Sequence, residues 1–347
     1  MFEQKCFCAQ YKGPELFKST SGGVFFAFAK YIIEKRGCAC GAAFDQNLVL
    51  KHCCVDNLEG LHMLQGSKYV ESNFVHILPE IKKKLEEGLL VLFSGTPCQV
   101  AAVRSHFKEK YSNLLLIDIL CHGTPDYNLF KKYIEWREFK WKAKILSFEF
   151  RNKMVSPWGG IPKAYVKTTK GEKIIPAICD PYYWAFLNGH LAKKKCYSCR
   201  YASVNRVGDI TAADFWGCHE FFPNFPYKKG ASCILVNSEK GMKYFNAIKD
   251  QFFLKEASID LAKKYNYQFS RPLVFSIQQE KIYSMIKDTS DFSSVLPFCG
   301  HRSMFFYYYS KLKSIFSVIY LKRILKKILT KLKRKNENRN SYTRTLR

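Results

Sequence analysis

Apolar residues recur at helical spacing in VFFAFAKYIIEKRG, which predicts a helix over about 24–36 closed by Gly37. Two shorter apolar runs follow, CACGAAFD at 38–45 and LVLKHCCV at 48–55, and read as an antiparallel strand pair. A helix with Lys and Glu on its outer face is expected over roughly 74–87. LLVLF (89–93) and LLLIDIL (114–120) are strand-like, and the segment between them has helix signals, with Thr96 as cap and Pro97 in the first turn. That order is a βαβ unit, whose strands are parallel. Beyond it, 127–142 reads as a helix, 145–178 as strands with turns at Trp158-Gly159-Gly160 and Lys170-Gly171, and 181–192 as an aromatic helix. Strands are expected at 208–211 and 232–237 and a helical segment near 240–252, before a less regular region to about 300. The predicted class is mixed α/β, a central mixed sheet with flanking helices, without internal repeats.

The 347 residues suffice for one large domain or two intimate ones, and 47% hydrophobic content excludes a disordered chain. The net charge of +27 is concentrated towards the end. No acidic residue occurs between Phe292 and Asn336, and 311–335, KLKSIFSVIYLKRILKKILTKLKRK, sets Leu and Ile at helical spacing among Lys and Arg. Its longest charge-free run, 314–321, is far short of the roughly 20 residues that span a bilayer. A basic amphipathic helix of this kind suits the surface of an anionic membrane, or a protein partner equally well. Nucleic acid is not an expected partner, because no folded reader or phosphate-tracking groove is recognisable. The opening MFEQKCFCAQYK lacks a secretory pattern, so the fourteen cysteines are read as reduced and the protein as cytoplasmic, peripheral on the inner membrane face if the tail docks there.

Four cysteines carry the candidate chemistry. Cys98 and Cys121 each follow a strand of the βαβ unit, where parallel strands bring their carboxyl ends to one edge and such folds bind ligands. Cys196 and Cys199 form a CxxC turn, CYSC, able to clamp one metal centre. By spacing alone the set suits an iron–sulfur cluster, a structural zinc or no metal. Ser19, Ser21, Gly22 and Gly23 at a helix start form a candidate phosphate seat, although such residues most often only cap. His122, beside Cys121, is a candidate proton relay, with a backbone hydrogen bond as the plainer role.

Seven segments in order, STSGGVFFAFA (19–29), QGSKYV (65–70), FSGTPCQVAAV (93–103), DILCHGTP (118–125), FRNK (150–153), CYSCRYA (196–202) and GDITAADFWG (208–217), resemble the coenzyme F420 hydrogenase/dehydrogenase beta-subunit family. The resemblance covers about residues 5–240. It implies FAD beside a [4Fe-4S] cluster, with Cys98, Cys121, Cys196 and Cys199 as cluster ligands. It also implies an N-terminal flavin- and cluster-binding part at 1–125 and a C-terminal part with the CxxC at 126–300, while the charge pattern sets off the basic tail at 301–347. Gly66, Ser67, Lys68 and Tyr69 join the helix-start residues as flavin contacts, Lys68 pairing with the pyrophosphate or stabilising charge on a reduced isoalloxazine. Asn152 and Lys153, polar residues at a strand end in FRNK, and Asp214 complete the candidate cofactor set, with Phe215 and Trp216 lining the flavin or shielding the cluster, or serving as plain core.

Many bacterial members begin with a cysteine-rich ferredoxin-like segment, whereas here Cys6 and Cys8 are too few for a second cluster. A separate ferredoxin-like carrier or redox subunit is therefore expected to dock. The implied activity is an iron–sulfur flavoprotein oxidoreductase, passing electrons between a one-electron carrier and a two-electron acceptor or donor. Analogy with bacterial relatives lacking the F420 pathway suggests a link to surface-polysaccharide synthesis. The competing reading is a zinc-stabilised Cys₄ membrane-surface module without redox activity.

Overall fold

The structure is a computed structural model describing residues 2–288, 291–309 and 312. Its strands are β1 (Lys5–Tyr11), β2 (Cys38–Phe44), β3 (Leu50–Val55), β4 (Val91–Gly95), β5 (Leu114–Ile119), β6 (Ile145–Glu149), β7 (Lys163–Thr168), β8 (Gly171–Pro176), β9 (Ile210–Asp214), β10 (Ser232–Val236) and β11 (Phe252–Ala257). The helices are α1 (Val24–Glu34), α2 (Leu58–Leu64), α3 (Leu78–Glu86), α4 (Pro97–Phe107), α5 (Tyr127–Trp141), α6 (Pro181–Leu187), α7 (Cys218–Phe221), α8 (Glu239–Ile248), α9 (Ile259–Tyr265) and α10 (Ile277–Asp288).

Eight strands form one mixed sheet in the order β11-β1-β10-β9-β5-β4-β2-β3. Its middle, β2, β4, β5 and β9, is parallel, and the outer pairings are antiparallel. The parallel strands read as near-continuous apolar runs because helices cover both faces. One face packs on α1, α2 and α8 through Phe26, Phe28, Leu61 and Phe245, the other on α3 and α4 through Ile81, Val100 and Val103. β6, β7 and β8 make a separate antiparallel sheet, whose Phe148 and Val166 join an aromatic cluster with Phe130, Tyr133 and Tyr182 from α5 and α6.

The expected mixed α/β class and the βαβ unit are present. β1 and β11 were not foreseen, nor was α2, and the region after β10 contains α9 and α10. The helix expected over 74–87 begins only at Leu78, after a short 3-10 turn at Val75–Ile77, with Pro79 in its first turn. The aromatic helix stops at Leu187 rather than 192, since Gly189 takes a positive φ of 74° that unwinds the chain. The cysteines are not all free thiols: Cys40 and Cys54 face each other across the β2–β3 pair and are disulfide-bonded.

Met1–Gly300 forms one unit and His301–Arg347 a second. In the second, 304–309 is helical and exposes Phe305, Tyr308 and Tyr309. The rest of the basic amphipathic stretch lies outside the described residues, Leu312 excepted. No helix among the described residues is long and apolar enough to cross a membrane.

Candidate functional site

A cavity of about 400 Å³ opens where β2, β4, β5 and β9 end, the carboxyl edge at which parallel sheets place ligands. Its floor is the start of α1. Gly23 caps that helix with φ 81°, and the backbone N–H groups of Val24, Phe25 and Phe26 have no intrahelical partner by helix geometry. Ser19, Ser21 and Gly23 line the cavity together with Gly66, Ser67, Lys68 and Tyr69. The two loops are tied to each other: the Ser67 N–H donates to Thr20 Oγ1 at 2.7 Å, and Gln65 Nε2 donates to Ser19 Oγ at 2.8 Å.

Lys68 is committed locally. Its Nζ donates to the carbonyls of Met63, Leu64, Gln65 and Gly66 at 2.7–3.3 Å, closing the C-terminal end of α2. Burial pushes its pKa down to about 7. The four carbonyls favour the ammonium form and oppose that push.

Three of the candidate residues lie off the cavity wall. Gly22 backs onto β1, where a Cβ would meet the Ala9 carbonyl and come within 2.7 Å of the Ser232 nitrogen. Asn152 donates to Glu149 at 2.8 Å. Lys153 props the 19–23 loop from behind, donating to Leu16 O at 3.0 Å and to Ser21 O, and burial lowers it to about 7. A strand end in the sequence marks position but not the direction of a side chain, which is why 152 and 153 were grouped with the cofactor set.

Asp214 does line the cavity, held by an ion pair to Arg151 at 2.7 Å and by Trp158 Nε1 at 2.7 Å. Burial opposes its ionisation, but Arg151, Trp158 and Ser21 together outweigh burial and hold the carboxyl below its usual range. Trp216 forms part of the wall, stacked on Trp158 with centroids 4.9 Å apart and with the Arg151 guanidinium 5.4 Å from its ring. Phe215 is fully buried core.

At its other end the cavity reaches Cys121, His122, Gly123 and Thr124. His122 is held at both nitrogens, Nε2 against Leu187 O at 3.1 Å and Nδ1 against Tyr267 Oη at 3.0 Å, and burial lowers its pKa. The ring is thus fixed by a backbone carbonyl on one side and by a tyrosine hydroxyl on the other. The Cys121 Sγ accepts from the Gly123 N–H at 3.3 Å, and the loop meets the CxxC loop where the Lys193 N–H donates to Thr124 O at 3.1 Å. Cys98 sits in the first turn of α4, exposed, its Sγ 3.1 Å from Thr96 Oγ1. Burial pushes the Cys121 thiol up to about 12, with further raising from Cys196, Cys98 and Cys199 nearby. The four thiols therefore share one neighbourhood. They are nevertheless spread: among the described residues only Cys38, Cys40 and Cys54 bring three sulfurs within 4.8 Å of one another.

Two cavity residues escaped the sequence reading. Arg151 stood inside a quoted motif without a role, and only its partner Asp214 reveals one. His52 carries no motif at all. It is 1% exposed and stacks on Phe93, its Nε2 lies 3.1 Å from Ser94 O, and its Nδ1 has no protein partner.

Fold and site together describe a mixed α/β protein with a cysteine-bearing loop bordering a cavity at the carboxyl edge of its parallel strands. Residues 89–261 match the family model for the C terminus of the coenzyme F420 hydrogenase/dehydrogenase beta subunit, and over that segment the chain belongs to this family. A chain of the F420-reducing [NiFe] hydrogenase complex from Methanosarcina barkeri, solved in a xenon-derivatisation study, is similar in fold. Its TM-score is 0.51 at 16% identity, covering 82% of this chain and 93% of that one. No curated protein matches.

Proposed function

We propose that the protein is an oxidoreductase subunit that holds FAD in the cavity and a [4Fe-4S] cluster on Cys98, Cys121, Cys196 and Cys199. It would exchange electrons with a ferredoxin-like one-electron carrier on one side and a two-electron acceptor or donor on the other. The observation that carries this reading is the continuity of the cavity, which runs from the start of α1 to Cys121. A flavin paired with an iron–sulfur cluster supplies the conversion between single electrons and a hydride equivalent.

The chain's own groups fit that load. The open N–H groups of α1 offer an anion seat for a pyrophosphate. Trp216, Tyr69 and Phe186 give flat apolar walls for a ring system, and the buried Nδ1 of His52 offers an acceptor to a ligand N–H or O–H. The Trp158–Trp216 stack and the Arg151–Asp214 pair fix the wall beside the site and limit access of water.

The sulfur spacing favours a cluster over zinc. A zinc ion holds its thiolates at about 2.3 Å and hence roughly 3.8 Å from one another. No three of these four cysteines approach within 4.8 Å, whereas a cubane binds each thiolate at a different corner and tolerates the wider spacing. Replacing Cys98 or Cys199 by Ala is expected to strip iron from anaerobically purified protein, while Cys233→Ala, in the middle of β10, leaves it in place. Equal iron in all three variants would remove the assignment.

A further inference from the structure

Cys38, Cys40 and Cys54 stand apart from the site described above, since none of them lines the cavity. Cys38 and Cys40 are two residues apart on β2 and so project from the same face of the sheet. Cys54 lies directly opposite Cys40 on β3. The three sulfurs fall within 4.8 Å of one another, with Cys40 and Cys54 joined as a disulfide. Cys38 and Cys40 are almost fully buried against Ile81 and Phe93, whereas Cys54 is half-buried and gives the group its access to solvent. Cys53 points to the opposite face and takes no part.

We propose that these residues form a redox-gated site for a thiophilic cation of the Zn²⁺ class: closed while Cys40 and Cys54 are bonded, and open to one metal ion through three sulfurs once they are reduced. The opening step needs a small-molecule thiol as reductant. Its thiolate attacks the accessible Cys54 Sγ, the S–S bond breaks, and the electron pair leaves on Cys40 Sγ, which takes up a proton. A second reductant thiolate displaces the first from Cys54, so that two thiols become one disulfide and the protein gains two thiols. Binding the metal releases the protons of Cys38, Cys40 and Cys54, and water completes the coordination from the Cys54 side.

The site differs from a permanent structural disulfide in what reduction does. Anaerobically prepared holoprotein is reduced or diamide-oxidised, freed of reagent and dialysed against Zn²⁺ alone, with zinc and iron measured and Cys40 and Cys54 mapped by alkylation. Reduced protein is expected to retain one zinc more per chain than oxidised protein, at unchanged iron. Cys38→Ser should lose that zinc while still forming the Cys40–Cys54 bond, and Cys54→Ser should lose both. Equal zinc in reduced and oxidised wild-type protein, full retention by Cys38→Ser, or alkylation of Cys40 and Cys54 that does not respond to reduction would each overturn the proposal. The wild-type comparison decides even where a variant folds poorly.

Discussion

His52 shows how a single side chain can demand a ligand. Its Nε2 faces the Ser94 carbonyl, so the proton sits on Nε2 and Nδ1 presents a lone pair that no protein group satisfies. A buried acceptor left unpaired costs about 1–3 kcal/mol, and a bound molecule with a suitably placed N–H recovers that cost. Burial also lowers the imidazole pKa from 6.5 to about 4. The fold therefore favours the neutral ring. At pH 7 the ring is neutral in folded and unfolded chain alike, but as pH falls below 6.5 the unfolded chain takes a proton that the folded one refuses, and stability is lost until about pH 4. Between pH 7 and pH 5 this amounts to roughly 2 kcal/mol. Urea unfolding at the two pH values should show that His52→Gln loses less stability than the parent by this amount. The histidines at 122 and 190, also lowered by burial, are common to both proteins and cancel. An identical pH loss in parent and variant would contradict the assignment.

At the scale of elements, the loops are held by contacts that a residue pattern does not disclose. Gly123 takes φ 93°, and a Cβ there would come within 2.8 Å of Leu273, 3.0 Å of Ala192 and 3.4 Å of the Cys196 Cβ. The glycine is what lets the Cys121 loop lie against the CxxC loop. Gly123→Ala is expected to push the two loops apart and lower iron content, with a smaller loss of flavin, because neither the 19–23 loop nor the 66–69 loop proposed for the flavin is among the nearest neighbours of a Cβ at 123. Full iron in Gly123→Ala protein would show that the contact does not position the thiols.

The elements legible in the sequence were those with local signals. β4, α4 and β5 announce themselves by two apolar runs, with Thr96 as cap and Pro97 in the first turn between them; the structure adds Gln99 to the cap, its side-chain oxygen accepting from the Thr96 N–H at 3.0 Å. β2 and β3 are joined by a short turn and pair locally. β1 and β11 were missed because each is a short stretch whose partners lie far along the chain: Cys8 pairs with Cys233 on one side and Lys255 on the other. The same limit applies to the site. CxxC and the strand-end cysteines could be picked out from sequence, whereas His52 owes its isolation to tertiary packing, and Lys68 is turned onto the end of α2 by contacts that no spacing encodes.

On the scale of the whole molecule, the sheet order explains why these parts meet. β9 comes late in the chain but inserts beside β5, so Asp214 and the segment from Cys196 to Arg206 return to the edge formed by β4 and β5. Arg206 locks that return by pairing with the buried Asp118 at 2.8 Å. Beside this edge, 181–208 and 261–279 contain no acidic residue, and Lys194, Lys195, Arg200 and Arg271 are exposed. Charge of that sign suits an acidic carrier protein better than a basic one.

The central claim is that one cavity couples a flavin to a four-cysteine cluster, and composition tests it most directly. Protein purified without oxygen, then analysed for iron, acid-labile sulfide, zinc and released flavin, is expected to hold about four irons with matching sulfide and close to one FAD per chain. Zinc on these cysteines without sulfide, or no flavin even after reconstitution, would contradict the account.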